Sequence, residues 1–296
     1  MIPDGVNEET PFTLLERSDL FAFLLDLIQR VYRPSIQSAV SDYGLVIVGG
    51  QSLTLWARQY LIDEMTGEDV GFVTSDDLDF VGKPSSIDYC ARVMGVPFRK
   101  AKMEDNTINI AAAYIDWDDG KEVIVDILEM DSVGGAPKKE IFKYLSVLEI
   151  DGVQVAVIDP ITCLKSRLFN LFAYWQDRRH RESVRVKIAL RASNHYLRDL
   201  LVNEGYRVIA EHIRRIKDLA LTPLGKRVYV EYGIDVLDAI PYDPALFPTA
   251  YSERERPNML RQICDVRRRK LIQYQRFACG PVHSSHLQHV VGNDPR

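Results

Sequence analysis

The sequence predicts an α+β chain: a mixed sheet with helices over residues 1–159, then an all-helical, basic segment over 160–280. Three observations carry that expectation. Short β-branched runs alternate with helix-patterned stretches in the first half, and two Asp-Gly pairs sit between strand-like runs. At Asp159-Pro160 the texture turns helical and arginine-rich, which places a domain boundary near residue 159.

In chain order, residues 12–40 read as a helix. Leu14, Leu15, Phe21, Leu24, Leu25 and Ile28 recur at helical spacing, and Pro34 ends or kinks the run. LVIVGG, from Leu45 to Gly50, is a strand closed by two glycines. SLTLWARQYLIDEM follows as a helix with Leu53, Trp56, Ala57, Tyr60 and Leu61 on one face. DLDFVG, from Asp77 to Gly82, is a second strand, and SSIDYCARVMG behind it begins as a capped helix. TINIAAAYIDW and KEVIVDILEM flank Asp118-Asp119-Gly120 as one hairpin, and Asp151-Gly152 turns a second between YLSVLEI and VQVAVI. Helices then run to about residue 235, and NMLRQICDVRRRKLIQYQRF reads as a basic helix. Residues 281–296 read as a disordered tail.

Composition narrows the function classes. With 296 residues, 46% hydrophobic and 27% charged, the chain reads as a soluble globular protein with a real core. Cys90, Cys163, Cys264 and Cys279 are scattered without a CxxC pair, which argues against a disulfide framework or structural zinc and suits a reducing cytoplasm. The N-terminus is acidic and polar, unlike a signal peptide. The most apolar stretch, from Leu20, is interrupted by Asp26 and Arg30, so no membrane partner is expected. Residues 1–160 hold 13 Lys+Arg against 28 Asp+Glu, a balance of −15, and the remainder holds 24 against 14, a balance of +10. Acidic sites collect metal ions and basic surfaces collect phosphates, although two solvated faces would give the same asymmetry.

The chemistry gathers on the second strand. Side chains alternate across a sheet, so Asp77 and Asp79 project from one face while Leu78 and Phe80 pack on the other. Neighbouring carboxylates repel, and a hard cation such as Mg²⁺ between them relieves that cost. Asp126 is a third carboxylate, on a strand otherwise apolar on both faces, where an isolated Asp must be paired, hydrogen-bonded or ligating. Gly49-Gly50-Gln51-Ser52 lies between a strand and a helix, where glycines let a phosphate approach the backbone. Ser52 either adds a hydrogen bond to that phosphate or simply caps the helix. The Arg178-Arg179-His180-Arg181 cluster and the run Arg267 to Lys270 are either solvated faces or an RNA-binding surface. His283, His286 and His289 are explained by a disordered tail as well as by metal binding.

The order of Gly-Gly-Gln-Ser, Asp-Leu-Asp on a strand and an Asp on a later strand resembles the nucleotidyltransferase superfamily pattern. VGGQSLTLWARQYL and TSDDLDFVG look most like the AbiEii-like toxins of type IV toxin–antitoxin and abortive-infection systems. The resemblance covers roughly residues 40–170. It implies a nucleotidyltransferase-fold sheet followed by a helical domain. It also implies Mg²⁺ or Mn²⁺ held by Asp77, Asp79 and Asp126, and a nucleoside triphosphate seated on Gly49, Gly50 and Ser52. DPITCLKSRL resembles the segment in which a lysine contacts the triphosphate, which makes Lys165 the candidate. The sequence departs from the pattern in a long gap between Gly50 and Asp77, and in lacking a clear Arg-Asp motif beyond the lysine.

The implied activity is transfer of a nucleoside monophosphate from an NTP to an acceptor hydroxyl, with release of pyrophosphate. Asp126 would orient that hydroxyl. The basic second half and the resemblance favour RNA, such as a tRNA 3′ end, as acceptor, with an antitoxin protein as a further partner. The rivals are a nucleotidyltransferase that modifies proteins and a non-catalytic nucleotide-binding regulator of the same fold.

Overall fold

The alternating apolar runs of the first half collapse into one sheet because each strand buries one face or both. Its strands are β1 (Val46–Ile47), β2 (Asp77–Gly82), β3 (Arg99–Lys100), β4 (Asn109–Asp118), β5 (Lys121–Glu129), β6 (Leu145–Ile150) and β7 (Val153–Ile158). The computed structural model describes residues 19–277 except 103, 106, 119–120, 130–133 and 174–178, with backbone alone at 118 and 270–277. The sheet order is β3-β4-β5-β2-β1-β7-β6. The β2–β5 and β1–β7 pairs are parallel and the other neighbours antiparallel. A mixed sheet followed by helices is the α+β class that the sequence predicts.

Both hairpins form. Asp118 faces Lys121 across the first, whose turn residues Asp119 and Gly120 lie outside the described residues. Ile150 faces Val153 across the second. Asp151 and Gly152, with φ of 50° and 78°, both take the left-handed conformation that a two-residue type I′ turn demands.

The helices of the sheet region are α1 (Asp19–Tyr32), α2 (Ile36–Ser41), α3 (Gly49–Leu61), α4 (Gly67–Val73), α5 (Ser85–Met94) and α6 (Lys138–Lys143). The predicted 12–40 helix is thus two helices, with residues 12–18 outside the described set. Pro34 falls in the break, and Ser35 starts α2 by accepting the Ser38 N–H. The long stretch between Gly50 and Asp77 carries α4, opened by a capping box of Thr66 and Asp69.

After the sheet come α7 (Pro160–Ala173), α8 (Arg179–Asn203), α9 (Tyr206–Leu221), α10 (Pro223–Tyr232) and α11 (Arg256–Phe277). Asp159 opens α7 by accepting both the N–H and the hydroxyl of Thr162. The chain divides into two compact units, Met1–Ala192 and Ser193–Arg296. The second unit buries Ile209, Ile213, Ile216, Val228 and Ile263. It is pinned by a forked pair from Arg267 to Asp235 at 2.6 and 2.5 Å. Among the described residues, no helix is long and apolar enough to cross a membrane, and Cys90, Cys163 and Cys264 are free thiols.

Helix α3 is fixed on the sheet by Trp56. Its ring is buried, and its indole N–H donates to the Ile158 carbonyl at 2.8 Å. Trp56→Phe should cost about 1–3 kcal/mol, because it strands that buried carbonyl and removes packing volume. Urea unfolding followed by far-UV dichroism checks this; an unchanged midpoint would show that the bond contributes nothing.

Candidate active site

The site begins with strand register. Leu78 and Phe80 are fully buried on one face of β2, while Asp77 is exposed and Asp79 half-buried on the other. Parallel pairing with β5 sets Asp79 directly opposite Asp126 and Asp77 opposite Ile124. The Val125 and Ile127 neighbours of Asp126 point into the core. A register shift between Asn109 and Ala111 in β4 interrupts its pairing with β5. The Asn109 side chain lies beside Asp126 and favours its charged form, an instance of a bulge beside a cluster of polar groups.

The two glycines are explained by the acids. At Gly49, φ is +63° and a Cβ would collide with the Asp79 carboxylate; at Gly50 a Cβ would collide with the Ser75 hydroxyl. The Gly50 N–H favours the charged form of Asp79, whose carboxylate sits at the positive end of α3.

Around these groups lies a cavity of about 360 Å³, within the range of small-ligand sites. Gly49, Gly50, Asp77, Asp79, Asn109 and Asp126 line its sheet side. Ser166, Arg167 and Asn170 of α7 and Arg181, Glu182 and Arg185 of α8 line the other. The wall from α8 is internally braced. Arg185 donates to the Phe72 carbonyl at 2.7 Å, to Glu182 at 3.0 Å and to the Thr74 carbonyl at 3.3 Å. Arg181 reaches the same Thr74 carbonyl at 3.1 Å.

Electrostatics follow from the crowding. Asp79 is pushed up from the ordinary carboxylate range by burial and then by the Asp77 charge, against the pull of Arg167, the Gly50 N–H and Arg185. Asp126 is pushed up to about 6 by burial and then by Asp79 and Asp77, with the Asn109 side chain opposing. Its Oδ1 is buried without a hydrogen-bond partner. Among the described residues, no group of three or more His, Cys, Asp or Glu side chains is drawn together as a metal cage. The donor set nevertheless suits Mg²⁺ or Mn²⁺, since Mg²⁺ takes one or two carboxylates and fills its octahedron with waters and phosphate oxygens.

Five of the seven residues singled out from the sequence meet at this cavity: Asp77, Asp79, Asp126, Gly49 and Gly50. Ser52 and Lys165 are not among its lining residues. The Ser52 hydroxyl is buried and turned back onto the Gly49 carbonyl at 2.9 Å, with Cys163 Sγ at 3.5 Å. Lys165 is ion-paired with Glu140 at 2.7 Å. The cluster at the start of α8 divides: Arg181 lines the cavity, whereas Arg178 lies outside the described residues. In the second basic run, Arg267 is buried on Asp235. His283, His286 and His289 lie outside the described residues.

Sequence reasoning missed Arg167, Glu182 and Arg185. Arg167 did carry a signal, because it stands at helical spacing from Cys163, Leu164 and Leu171, all buried. An arginine in the apolar phase of a helix marks a guanidinium with an internal task.

No family model matches this chain, and no curated protein matches it. A solved structure from Paracoccidioides brasiliensis, described as an antigenic nucleotidyltransferase-like protein, overlaps with a TM-score of 0.42 at 10% identity, covering 76% of this chain and 96% of that one. An overlap of that quality leaves the function to be argued from the site.

Because its pKa in the fold, about 6, lies above the ordinary 3.8, Asp126 is more easily protonated in the folded chain than in the unfolded one. Its contribution to stability is therefore fully present below 3.8 and is lost as pH rises through about 6. Asp126→Asn should stabilise the metal-free protein at pH 8 by on the order of 1 kcal/mol, discounted for solvent screening, and give no such gain at pH 4. Melting curves at the two pH values test this; an equal effect at both would contradict the assignment.

Proposed function

We propose that the chain is a divalent-cation-dependent nucleotidyltransferase, moving a nucleoside monophosphate from an NTP to an acceptor hydroxyl. The observation that carries this reading is Asp79 facing Asp126 across parallel strands, with Asp77 two residues along, on one wall of a cavity of about 360 Å³. Such a grouping is costly without a cation and suits one shared with phosphate oxygens.

In this reading Asp77 and Asp79 hold Mg²⁺ or Mn²⁺ and Asp126 completes the set. The bound cation supplies charge neutralisation at the phosphates. Gly49 and Gly50, lacking side chains, leave the backbone open to the substrate beside Asp79. Asp126 orients the acceptor hydroxyl and takes up its proton. A bond forms from that oxygen to the α-phosphorus, the bond from the α-phosphorus to the bridging oxygen breaks, and the electron pair leaves with pyrophosphate.

The acceptor class this reading favours is RNA, such as a tRNA 3′ end, because residues 161–296 carry 24 Lys+Arg against 14 Asp+Glu, a surplus that persists when Arg167, Arg181 and Arg185 of the cavity wall and the buried Arg267 are set aside. A growth-arresting role checked by an antitoxin, and a cytoplasmic setting, belong to the same proposal through the AbiEii-like resemblance.

The test incubates the purified chain with each α-labelled NTP, Mg²⁺, and total RNA and protein, beside Asp77→Ala/Asp79→Ala. Label is expected on RNA and should fall by about 100-fold or more in the variant. Label on a polypeptide would move the acceptor class, and no label from any nucleotide would reject the transferase. Mg²⁺ should also raise the melting temperature of the wild type but not of the double variant.

A further inference from the structure

The wall of the cavity opposite the acids holds a group that the fold matches only in part. Arg167 is 3% exposed and lines the cavity. Its Nε is buried with no hydrogen-bond partner, and its Nη1 is ion-paired with Glu182 Oε2 at 3.8 Å, too far for a hydrogen bond, so that this oxygen goes without one as well. Arg185, 8% exposed, differs in that three donors are spent on Glu182 and on the carbonyls of Phe72 and Thr74. Arg185 is a strut, and Glu182 is braced by it. Leaving a buried charged donor unmatched costs about 1–3 kcal/mol or more. The fold thus hydrogen-bonds Arg185 and gives Arg167 an ion pair alone.

We propose that Arg167 is the contact for the terminal phosphates of a polyphosphate ligand, reaching them with the Nη edge of its guanidinium, since Nε itself is closed off from the cavity. A planar fork matches two phosphate oxygens at once, and phosphate is the anion that satisfies it bidentately. The charges fit the ligand as well. Three guanidiniums against the single carboxylate of Glu182 face Asp77, Asp79 and Asp126 across the cavity. A polyphosphate whose α end shares a cation with the acids places its anionic tail on the arginines. Lys165, the lysine suggested by resemblance, is two residues away on α7 and is held by Glu140. The assignment rests on the nucleotidyltransferase reading for the identity of the nucleotide, but not for the chemistry of the tail.

The experiment titrates inorganic pyrophosphate and tripolyphosphate into the metal-free full chain by calorimetry. Wild type is compared with Arg167→Lys, Arg167→Met and Lys165→Met. Arg167→Lys retains a buried cation beside Glu182 while removing the fork. It should weaken binding by about tenfold, and Arg167→Met by more. Lys165→Met should change it less than twofold. Because Arg167→Met risks unfolding, the Arg167 guanidinium resonances of the wild type are followed by ¹⁵N NMR during the pyrophosphate titration, and a saturable shift is expected. Wild-type affinity in a folded Arg167→Lys, or guanidinium resonances that do not move, would overturn the assignment. So would loss of binding in Lys165→Met alone. Pyrophosphate binding requires neither acceptor nor turnover. A chain that transfers nucleotide but binds pyrophosphate independently of Arg167 sinks only this assignment. One that binds through Arg167 but labels no acceptor sinks only the transferase.

Discussion

The constraint on which the site depends is the parallel pairing of β2 with β5, because it stands Asp79 against Asp126. Adjacent strands lie about 4.8 Å apart. At that separation two carboxylates repel by roughly 3 kcal/mol with an effective dielectric near 20. The register cannot slip to escape this. A shift of one residue would turn Leu78 and Phe80, both fully buried, out of the core. The surroundings must answer the repulsion instead. The Gly50 N–H and the charges of Arg167 and Arg185 act on Asp79, and the Asn109 amide acts on Asp126.

These answers draw on elements that would otherwise be unremarked. The stretch between Gly50 and Asp77, long for the family that the sequence resembles, carries α4 after the end of α3, and the last carbonyls of α4 need partners. Arg185 takes the Phe72 carbonyl, and Arg181 and Arg185 share the Thr74 carbonyl. Cations at a helix C-terminus are favourable, so α4 seats the beginning of α8 beside β2. Arg191 extends the seam through Glu64 and Asp69. The segment that carries α4 thus supplies the far wall of the cavity with its footing.

Much of the sheet was legible because its signals are local. Period-two alternation around Asp77 and Asp79 needs only the strand itself, and Asp151-Gly152 announces its turn in two residues. Asp126 was legible as a polar residue in an apolar run. The arginine wall was not, because its logic is tertiary. Lys165 and Arg167 are two positions apart, about 200° around a helix, and only packing decides which faces the cavity. Resemblance pointed to Lys165, but its partner Glu140 lies 25 residues earlier on α6. Ser52 turns inward because Cys163 of α7 closes over it. The charge balance of the two halves was also read too coarsely. Arg167, Arg181 and Arg185 belong to the basic half yet face the acids of the other.

Glu182 makes this arrangement durable. Arginines left free beside Asp79 and Asp126 would collapse onto them, and a fork on a carboxylate would quench both charges. Glu182 and the α4 carbonyls hold Arg185 instead, and Glu182 pairs with Arg167 at 3.8 Å without hydrogen-bonding it. Opposite charges are thereby kept apart across a cavity of about 360 Å³. In a site partly shielded from water such fixed charges act strongly and need no reorganisation when a ligand arrives. An orphaned Asp126 oxygen on one wall and an orphaned Arg167 nitrogen on the other are among the buried polar atoms that the fold leaves without a hydrogen bond, and they flank the space that the proposed cation and polyphosphate would fill.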